Sequence, residues 1–283
     1  MDRRGFLARG AFAAALPLVP SAARDLLAPW TARDTIDKIG LQLYTVRREM
    51  ETSVERTLFE VGRIGYKEVE FAGYFNRPPR AIRQLLDRNG LKSPAGHTSL
   101  DVLRSGWYRT LSDAAEIGQK WLVVPWLGEN DRNSLDALKR TAELLNRSGQ
   151  DAKSYKVRVA YHNHDFEFQE VEGKRILDVL LEETDPEYVD FEIDLYWITK
   201  AGADPFDYFR RFPRRFPLVH VKDSAGSPDH QMTEVGRGKI DFAKLFAAGE
   251  QAGMKHYFVE HDNPAEPLSS VRTSYRYLDS LEF

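Results

Sequence analysis

The chain contains no cysteine. This absence excludes a disulfide framework, a thiol nucleophile and a cysteine-based zinc site, so any metal must be bound by His, Asp or Glu. Basic residues are not in excess either, because 40 Lys and Arg stand against 43 Asp and Glu, for a formal net charge of -3. Without a broad basic field to hold a phosphate backbone, the sequence predicts no nucleic-acid partner.

Long hydrophobic runs are also lacking, and the apolar run at residues 10–19 is too short for a permanent membrane anchor. It follows the pair Arg3 and Arg4 and precedes small residues at 21–23. This order resembles a twin-arginine export signal, with a short hydrophobic helix as the alternative. We therefore expect residues 1–23 to be removed, residues 24–37 to be a linker, the Tat export machinery to be a partner and the protein to be periplasmic.

The rest of the chain alternates short apolar runs with longer amphipathic stretches, which is typical of repeated βα units. Strands are predicted at 39–44, 68–71, 93–97, 121–125, 158–163, 189–194, 218–221 and 257–260. Helices are predicted at 53–64, 79–89, 107–117, 135–154, 175–184, 205–212 and 242–252. The pattern predicts one domain, a (β/α)8 TIM barrel over residues 38–283. A doubly wound open sheet is the alternative, but Gly-x-Gly-x-x-Gly is missing after the first strand.

Polar residues mark the ends of several predicted strands. In a TIM barrel the reacting groups come from the C-terminal ends of the strands, which all meet at one mouth. The candidates there are Glu70, His97, His162, His164, Asp194, His220 and Glu260. His and carboxylate side chains that converge in this way are suited to hold a divalent metal ion.

Five motifs occur in order along the chain: YHNH at 161–164, DLYW at 194–197, HVKD at 220–223, GRGKIDF at 236–242 and VEHD at 259–262. The opening IGLQLYT at 39–45 and the strand YKEVEF at 66–71 fit with them. Together they resemble the sugar phosphate isomerase/epimerase family of xylose isomerase-like TIM barrels. The resemblance extends over nearly the whole chain after the signal.

The resemblance implies one divalent ion, often manganese, bound by Glu, Asp, His and Glu from strands 5 to 8. Carried over by position, Asp194, His220 and Glu260 are three of the ligands. The first position departs from the family's common LENH sequence and holds His162, whose imidazole also suits zinc or cobalt. Glu167 in the following loop is the alternative ligand. We expect manganese as the ion, with zinc or cobalt as alternatives.

Such an ion polarises a carbonyl and stabilises the enediolate that forms when a proton leaves the neighbouring carbon. His164 is the candidate base, because it points to the same side of its strand as His162 and an unperturbed imidazole titrates near neutrality. Family epimerases use two metal-bound Glu as opposed bases, so Glu260 is a further catalytic candidate. Lys222 either orients substrate oxygens or pairs with Asp223 or Glu260.

Aromatic rings are expected around the same mouth, where flat apolar faces suit sugars. The expected substrate contacts are Tyr44, Glu70, His97, Trp126, Asn163 and Trp197. For His97, a structural hydrogen bond is an equal alternative to substrate contact. For any single ring, packing of the loop layer is the alternative.

The function that these residues indicate is a metal-dependent isomerase or epimerase acting on a sugar. A lyase, hydratase or hydrolase on an oxidised 3-keto-glycoside is the close alternative, because periplasmic export argues against a sugar phosphate. It requires only a base, an acid and the ion. A non-catalytic carbohydrate-binding barrel and, more distantly, a DNA-repair endonuclease of the same superfamily complete the alternatives.

Overall fold

The computed structural model describes residues 34–283. The predicted export signal, residues 1–23, lies outside the described residues, as does most of the predicted linker. Asp34 is joined to Phe283 by two backbone hydrogen bonds of 2.9 and 3.0 Å, so the described segment begins beside the end of the chain. Within the same residues, none of the helices has the length and apolarity needed to cross a bilayer.

Eight parallel strands close into a barrel, which confirms the predicted fold class. They are β1 (Ile39–Gln42), β2 (Glu68–Phe71), β3 (Lys92–His97), β4 (Trp121–Val124), β5 (Arg158–His162), β6 (Val189–Asp194), β7 (Leu218–Val221) and β8 (His256–Val259). Neighbours in sequence are neighbours in the sheet, and β1 pairs with β8 to close it. Because all strands run in the same direction, their C-terminal ends form a single mouth.

Helices connect consecutive strands and cover the outside of the barrel. They are α1 (Arg47–Thr52), α2 (Val54–Ile64), α3 (Pro79–Arg88), α4 (Leu100–Arg104), α5 (Trp107–Ile117), α6 (Leu135–Ala152), α7 (Ile176–Glu183), α8 (Leu195–Lys200), α9 (Pro205–Arg211), α10 (Phe242–Ala247), α11 (Gly249–Ala252) and α12 (Pro267–Asp279). The predicted helix at 242–252 is divided into α10 and α11. The helices α1, α4, α8 and α12 were not predicted.

The barrel interior has an apolar layer beneath a polar one. The apolar layer is a buried cluster of Ala95, Trp121, Val123, Ala160, Leu218 and Phe258. Side chains two positions apart on a strand lie on the same face. Two positions after four of these residues, and nearer the mouth, come His97, His162, His220 and Glu260. The candidate site therefore lies directly above the apolar layer, on its mouth side.

A long loop after β7 reaches a residue at the mouth, since the backbone N of Asp262 donates a hydrogen bond of 3.2 Å to Met232 Sδ. It contains a small antiparallel pairing of Asp223–Ser224 with Met232–Thr233. The buried carboxylate of Asp223 accepts hydrogen bonds from the backbone N–H groups of Gly236 and Gly238, both at 2.9 Å, and of Ile240 at 3.2 Å. Gly236 has a φ of +88°, which favours glycine. The two glycines thus belong to a turn held by a carboxylate.

Candidate metal centre

The mouth of the barrel opens into a cavity of about 810 Å³. Several of the predicted residues line it: Tyr44, His97, Trp126, His162, His164, Lys222 and Glu260. A concave site of this size at the C-terminal face of a TIM barrel is where ligands of such proteins bind.

Four predicted ligands converge at the base of this cavity. Asp194 Oδ2 lies 3.9 Å from His162 Nε2 and 3.9 Å from His220 Nδ1. Glu260 Oε2 lies 2.8 Å from the same His220 nitrogen. Asp194 Oδ2 and His220 Nδ1 are buried and make no hydrogen bond among the described residues, although Lys222 and Glu260 lie within ion-pair distance of them. Buried polar atoms are normally hydrogen-bonded, so this arrangement fits a divalent cation.

The Asp194 side chain is held in place by backbone N–H groups of the residues that follow it. Its Oδ1 accepts hydrogen bonds from Tyr196 N at 2.9 Å and Trp197 N at 2.8 Å and so caps α8. Asn163 Oδ1 accepts a hydrogen bond from the backbone N of Asp194 at 3.1 Å. The cap uses one carboxylate oxygen and leaves the other facing the cavity base. Asn163, predicted as a substrate contact, is buried and joins β5 to β6 instead of lining the cavity.

Two carboxylates stand behind the imidazoles. His220 Nε2 lies 2.7 Å from Glu70 Oε2, and His162 Nδ1 lies 3.3 Å from Glu192 Oε2. A carboxylate behind a histidine ligand orients the ring and raises its basicity. Glu70 was predicted as a substrate contact, but it is fully buried behind His220. Glu192 was not predicted, although it lies two positions before Asp194 and therefore on the same face of β6.

His97 lines the cavity and also lies within a buried network of polar side chains. Gln42 Nε2 lies 3.1 Å from His97 Nε2 and donates a hydrogen bond of 2.7 Å to Glu70. Burial by itself lowers the pKa of His97, but Glu70 and Glu192 raise it to about 9. Burial conversely raises the pKa of Glu70, and His97 and His220 lower it to about 2.

Lys222 forms a second cluster beside the ligands. Its ammonium lies 2.8 Å from Glu260 Oε2, 3.0 Å from Asp262 Oδ1 and 3.1 Å from Asp194 Oδ2. Despite burial, these carboxylates hold the pKa of Lys222 well above its usual value. Lys222 is therefore cationic and pairs with Glu260, one of its two predicted partners, while Asp223 holds the loop after β7.

Negative charge exceeds positive charge in this region. The carboxylates of Glu70, Glu192, Asp194 and Glu260 are buried there. The cations among them are Lys222 and, because neighbouring carboxylates raise their pKa values despite burial, His97 and His220. Burial, followed by the charge of Glu70, raises the pKa of Glu192 to about 7, and burial raises that of Asp194 to about 6. Bound cations relieve such repulsion, as does protonation.

His164 lies above the ligands in an aromatic environment. Its ring centroid is 5.1 Å from that of Trp126 and 5.4 Å from that of Trp197, and its Nδ1 has no hydrogen-bond partner among the described residues. Burial and then Lys222 lower the pKa of His164 to about 3. The ring is thus neutral at physiological pH, but it does not keep the near-neutral pKa on which the sequence argument relied.

Glu167, the alternative strand-5 ligand, has other partners. Its carboxylate accepts hydrogen bonds from the hydroxyl of Tyr161 and, at 2.7 Å, from the backbone N of His164. It lies in neither of the two groups of potential ligand atoms found within residues 34–283. Its position instead fixes the backbone of the loop that carries His164.

The predicted aromatic contacts differ in position. Trp126 and Tyr44 are half exposed and line the cavity, with 53% and 41% of their surfaces accessible. Trp197 packs between His164 and Lys222, whose ammonium lies 5.6 Å from the indole ring centroid. The indole therefore shapes the surroundings of the two candidate catalytic residues.

Comparisons with known proteins agree with this architecture. A sequence model of the xylose isomerase-like TIM barrel family matches residues 59–281. An inosose dehydratase of Lacticaseibacillus casei is 24% identical over 272 residues, which cover 81% of this chain and 90% of that protein.

Two solved structures have the same fold. A sugar phosphate isomerase/epimerase from Parabacteroides distasonis ATCC 8503 superimposes with a TM-score of 0.76 at 25% identity, covering 88% of this chain and 96% of the other. The IolI protein, solved with a bound zinc atom, gives a TM-score of 0.68 at 13% identity, covering 84% of this chain and 95% of that chain. At 13% identity, the second likeness concerns the fold alone.

Proposed function

This chain belongs to the xylose isomerase-like TIM barrel family, and from that premise we propose that it is a divalent-metal-dependent lyase acting on a keto-sugar. In this proposal the enzyme removes a proton next to a carbonyl and eliminates the substituent beta to it. An inosose or a 3-keto-glycoside has the required chemistry. The name of the Lacticaseibacillus casei relative, inosose dehydratase, supports elimination.

His162, Asp194, His220 and Glu260 would hold the ion, since their ligand atoms converge and two of those atoms lack hydrogen-bond partners among the described residues. When bound, a divalent ion supplies polarisation of the substrate carbonyl. Manganese is the expected ion, and zinc or cobalt also suits two imidazoles with two carboxylates.

The observation that carries the proposal is the unequal pair of groups on the cavity wall. His164 is a neutral imidazole whose Nδ1 makes no hydrogen bond among the described residues. Lys222 is a cationic ammonium that donates a hydrogen bond to Asp262 and forms an ion pair with Glu260. In our proposal, His164 accepts the proton from the substrate carbon, and Lys222 donates a proton to the departing oxygen. Elimination requires one base and one acid, which this pair supplies.

Epimerisation makes a different demand, because its second proton must return from the opposite face. In this family that task uses two metal-bound carboxylates, and His162 replaces one of them. The isomerase or epimerase activity that the sequence first indicated is therefore our second candidate. It is supported by the Parabacteroides distasonis structure, named a sugar phosphate isomerase/epimerase.

One assay distinguishes these candidates. Metal-restored protein is incubated in deuterated water with an inosose and with 3-keto-glycosides, and the products are analysed by mass spectrometry. A lyase gives a product that lacks one water or one alcohol. An isomerase gives a product of unchanged composition that carries deuterium from solvent. Unchanged substrate with every compound, accompanied by saturable binding, would support a carbohydrate-binding barrel and contradict both activities.

A further inference from the structure

A second group of ligand atoms lies deeper in the barrel than the proposed ion site. Glu70 Oε2, His97 Nε2, Glu192 Oε2 and His220 Nε2 all lie within 4.8 Å of one another. Glu192 precedes Asp194 by two positions on β6, which places it one layer further from the mouth. His220 belongs to both groups, but it faces this one with its other nitrogen.

The spacing of these atoms matches a coordination sphere. His220 Nε2 lies 2.7 Å from Glu70 Oε2 and 3.1 Å from Glu192 Oε2. His97 Nε2 lies 3.4 Å and 3.5 Å from the same two oxygens. Adjacent ligands of a tetrahedral ion bound at about 2.0–2.1 Å are separated by roughly 3.3–3.4 Å. The two His97 distances match this separation, whereas His220 Nε2 and Glu70 Oε2 are at hydrogen-bond distance and would move apart by about 0.6 Å to contact one ion.

The hydrogen bonding of the group is incomplete. Glu192 is fully buried, yet neither of its carboxylate oxygens has a hydrogen-bond partner among the described residues, and Glu70 Oε1 also lacks one. The basic groups recorded within 4.0 Å of Glu192 are the imidazoles of His97, His162 and His220. A buried carboxylate that makes no hydrogen bond is costly even beside imidazoles, and a metal ion removes that cost.

We propose that Glu70, His97, Glu192 and His220 form a second divalent-cation site. Together with the ion proposed near Asp194, it makes the centre binuclear. His220 would contact both ions, because its Nδ1 faces Asp194 and Glu260 and its Nε2 faces Glu70 and Glu192. It would do so as an imidazolate, whose ring protons pass to solvent. Two carboxylates and two imidazoles are a donor set for zinc, cobalt or manganese.

The test is a count of bound ions. Full-length protein is treated with chelator, dialysed against Zn²⁺, and analysed for metal per chain by mass spectrometry. The variants are Glu192→Gln and His97→Gln for the second site and Asp194→Asn for the first. Glu68→Gln is the matched control, because Glu68 is a buried carboxylate at the other end of β2, 2.7 Å from His256 Nδ1.

We expect two ions in the wild type and in Glu68→Gln, and one ion in each of the other three variants. A single ion that Glu192→Gln and His97→Gln retain and Asp194→Asn loses would overturn the second site and leave the proposed function intact. A single ion with the opposite pattern would support the second site and overturn the first. Absence of any ion would overturn both.

Circular dichroism of each variant separates a lost ligand from a lost fold. If Glu192→Gln does not fold, His97→Gln decides the matter, because the His97 side chain is 14% exposed and tolerates change better than a fully buried one. A folded His97→Gln protein that still binds two ions contradicts the proposal.

Discussion

The two nitrogens of His220 face different partners. Nδ1 lies near Asp194 and Glu260, whereas Nε2 contacts Glu70. Whether Nε2 is occupied by Glu70 or by the second ion proposed above, Nδ1 is the nitrogen that remains for the ion near Asp194. The metal-binding nitrogen of His220 therefore depends on Glu70, a carboxylate that does not line the cavity.

The first prediction concerns His164. We expect His164→Gln to lower kcat by about 100-fold, because it removes the proposed base, and general-base contributions begin at that size. KM and bound metal should change little, since His164 lies above the ligands. Steady-state kinetics on the keto-substrate identified by the product assay, with a metal count alongside, tests this. A normal kcat in His164→Gln would exclude His164 as the base.

The second prediction concerns Glu167 and pH. Burial raises the pKa of Glu167 from 4.5 to about 8 in the folded protein. Its protonated form is therefore favoured by folding, so its contribution to stability is complete below pH 4.5 and is lost as pH rises through 8. The Tm of the wild type minus that of Glu167→Gln should fall between pH 5 and 8, a window taken from these two pKa values. A constant difference would show that Glu167 is ionised throughout.

At the level of individual residues, strand ends and motif positions predicted His162, Asp194, His220 and Glu260, and the structure brings them together. Glu192 was missed because we considered only the last residue of each strand, and Glu192 lies two positions before Asp194 on the same face. The alternation of Glu192 and Asp194 along β6 was the available signal. The low pKa of His164 could not be predicted, because it depends on burial and on Lys222, which is far from His164 in the sequence.

At the level of elements, the eight strands were predictable because each is a short apolar run between amphipathic helices. The helices α4 and α8 were missed because five or six residues are too few to display helical periodicity. α8 begins where Asp194 caps it, so the carboxylate that serves the cavity also starts the helix. The hairpin after β7 consists of two-residue strands that leave no pattern in the sequence.

The third prediction concerns the loop after β7. Asp223→Asn removes a carboxylate that accepts backbone hydrogen bonds, and such charge-assisted bonds contribute about 1.5–3 kcal/mol. We expect faster hydrogen exchange in residues 224–240 and a higher KM, because the loop borders the mouth. Asp241→Asn is the control, since Asp241 caps α10 in an exposed position. Equal exchange in both variants would contradict the anchoring role.

At the level of the whole molecule, the mouth gathers negative charge while the chain as a whole carries a formal charge of only -3. The barrel achieves this by placing carboxylates from β2, β6 and the end of β8 at one face. We also propose that the protein is exported to the periplasm through its twin-arginine motif, which favours a glycoside over a cytoplasmic sugar phosphate as substrate.

The fourth prediction concerns this export. Replacement of Arg3 and Arg4 by Lys should abolish export of the full chain, because the twin-arginine route recognises the Arg pair. Cell fractionation with an antibody against the chain measures the distribution. A Lys replacement at Arg9, which lies outside the pair, serves as the control and should export normally. Normal export without the Arg pair would contradict the proposal.

Proton removal next to the substrate carbonyl should require an ion held beside Asp194. The most direct measurement is the exchange of that substrate hydrogen with deuterated solvent, followed by NMR. Chelator-treated wild type, the same protein with Mn²⁺ restored, and Asp194→Asn with Mn²⁺ are compared. We expect exchange only in the metal-restored wild type, whereas equal exchange after chelation, or in Asp194→Asn, would show that proton removal does not need this ion.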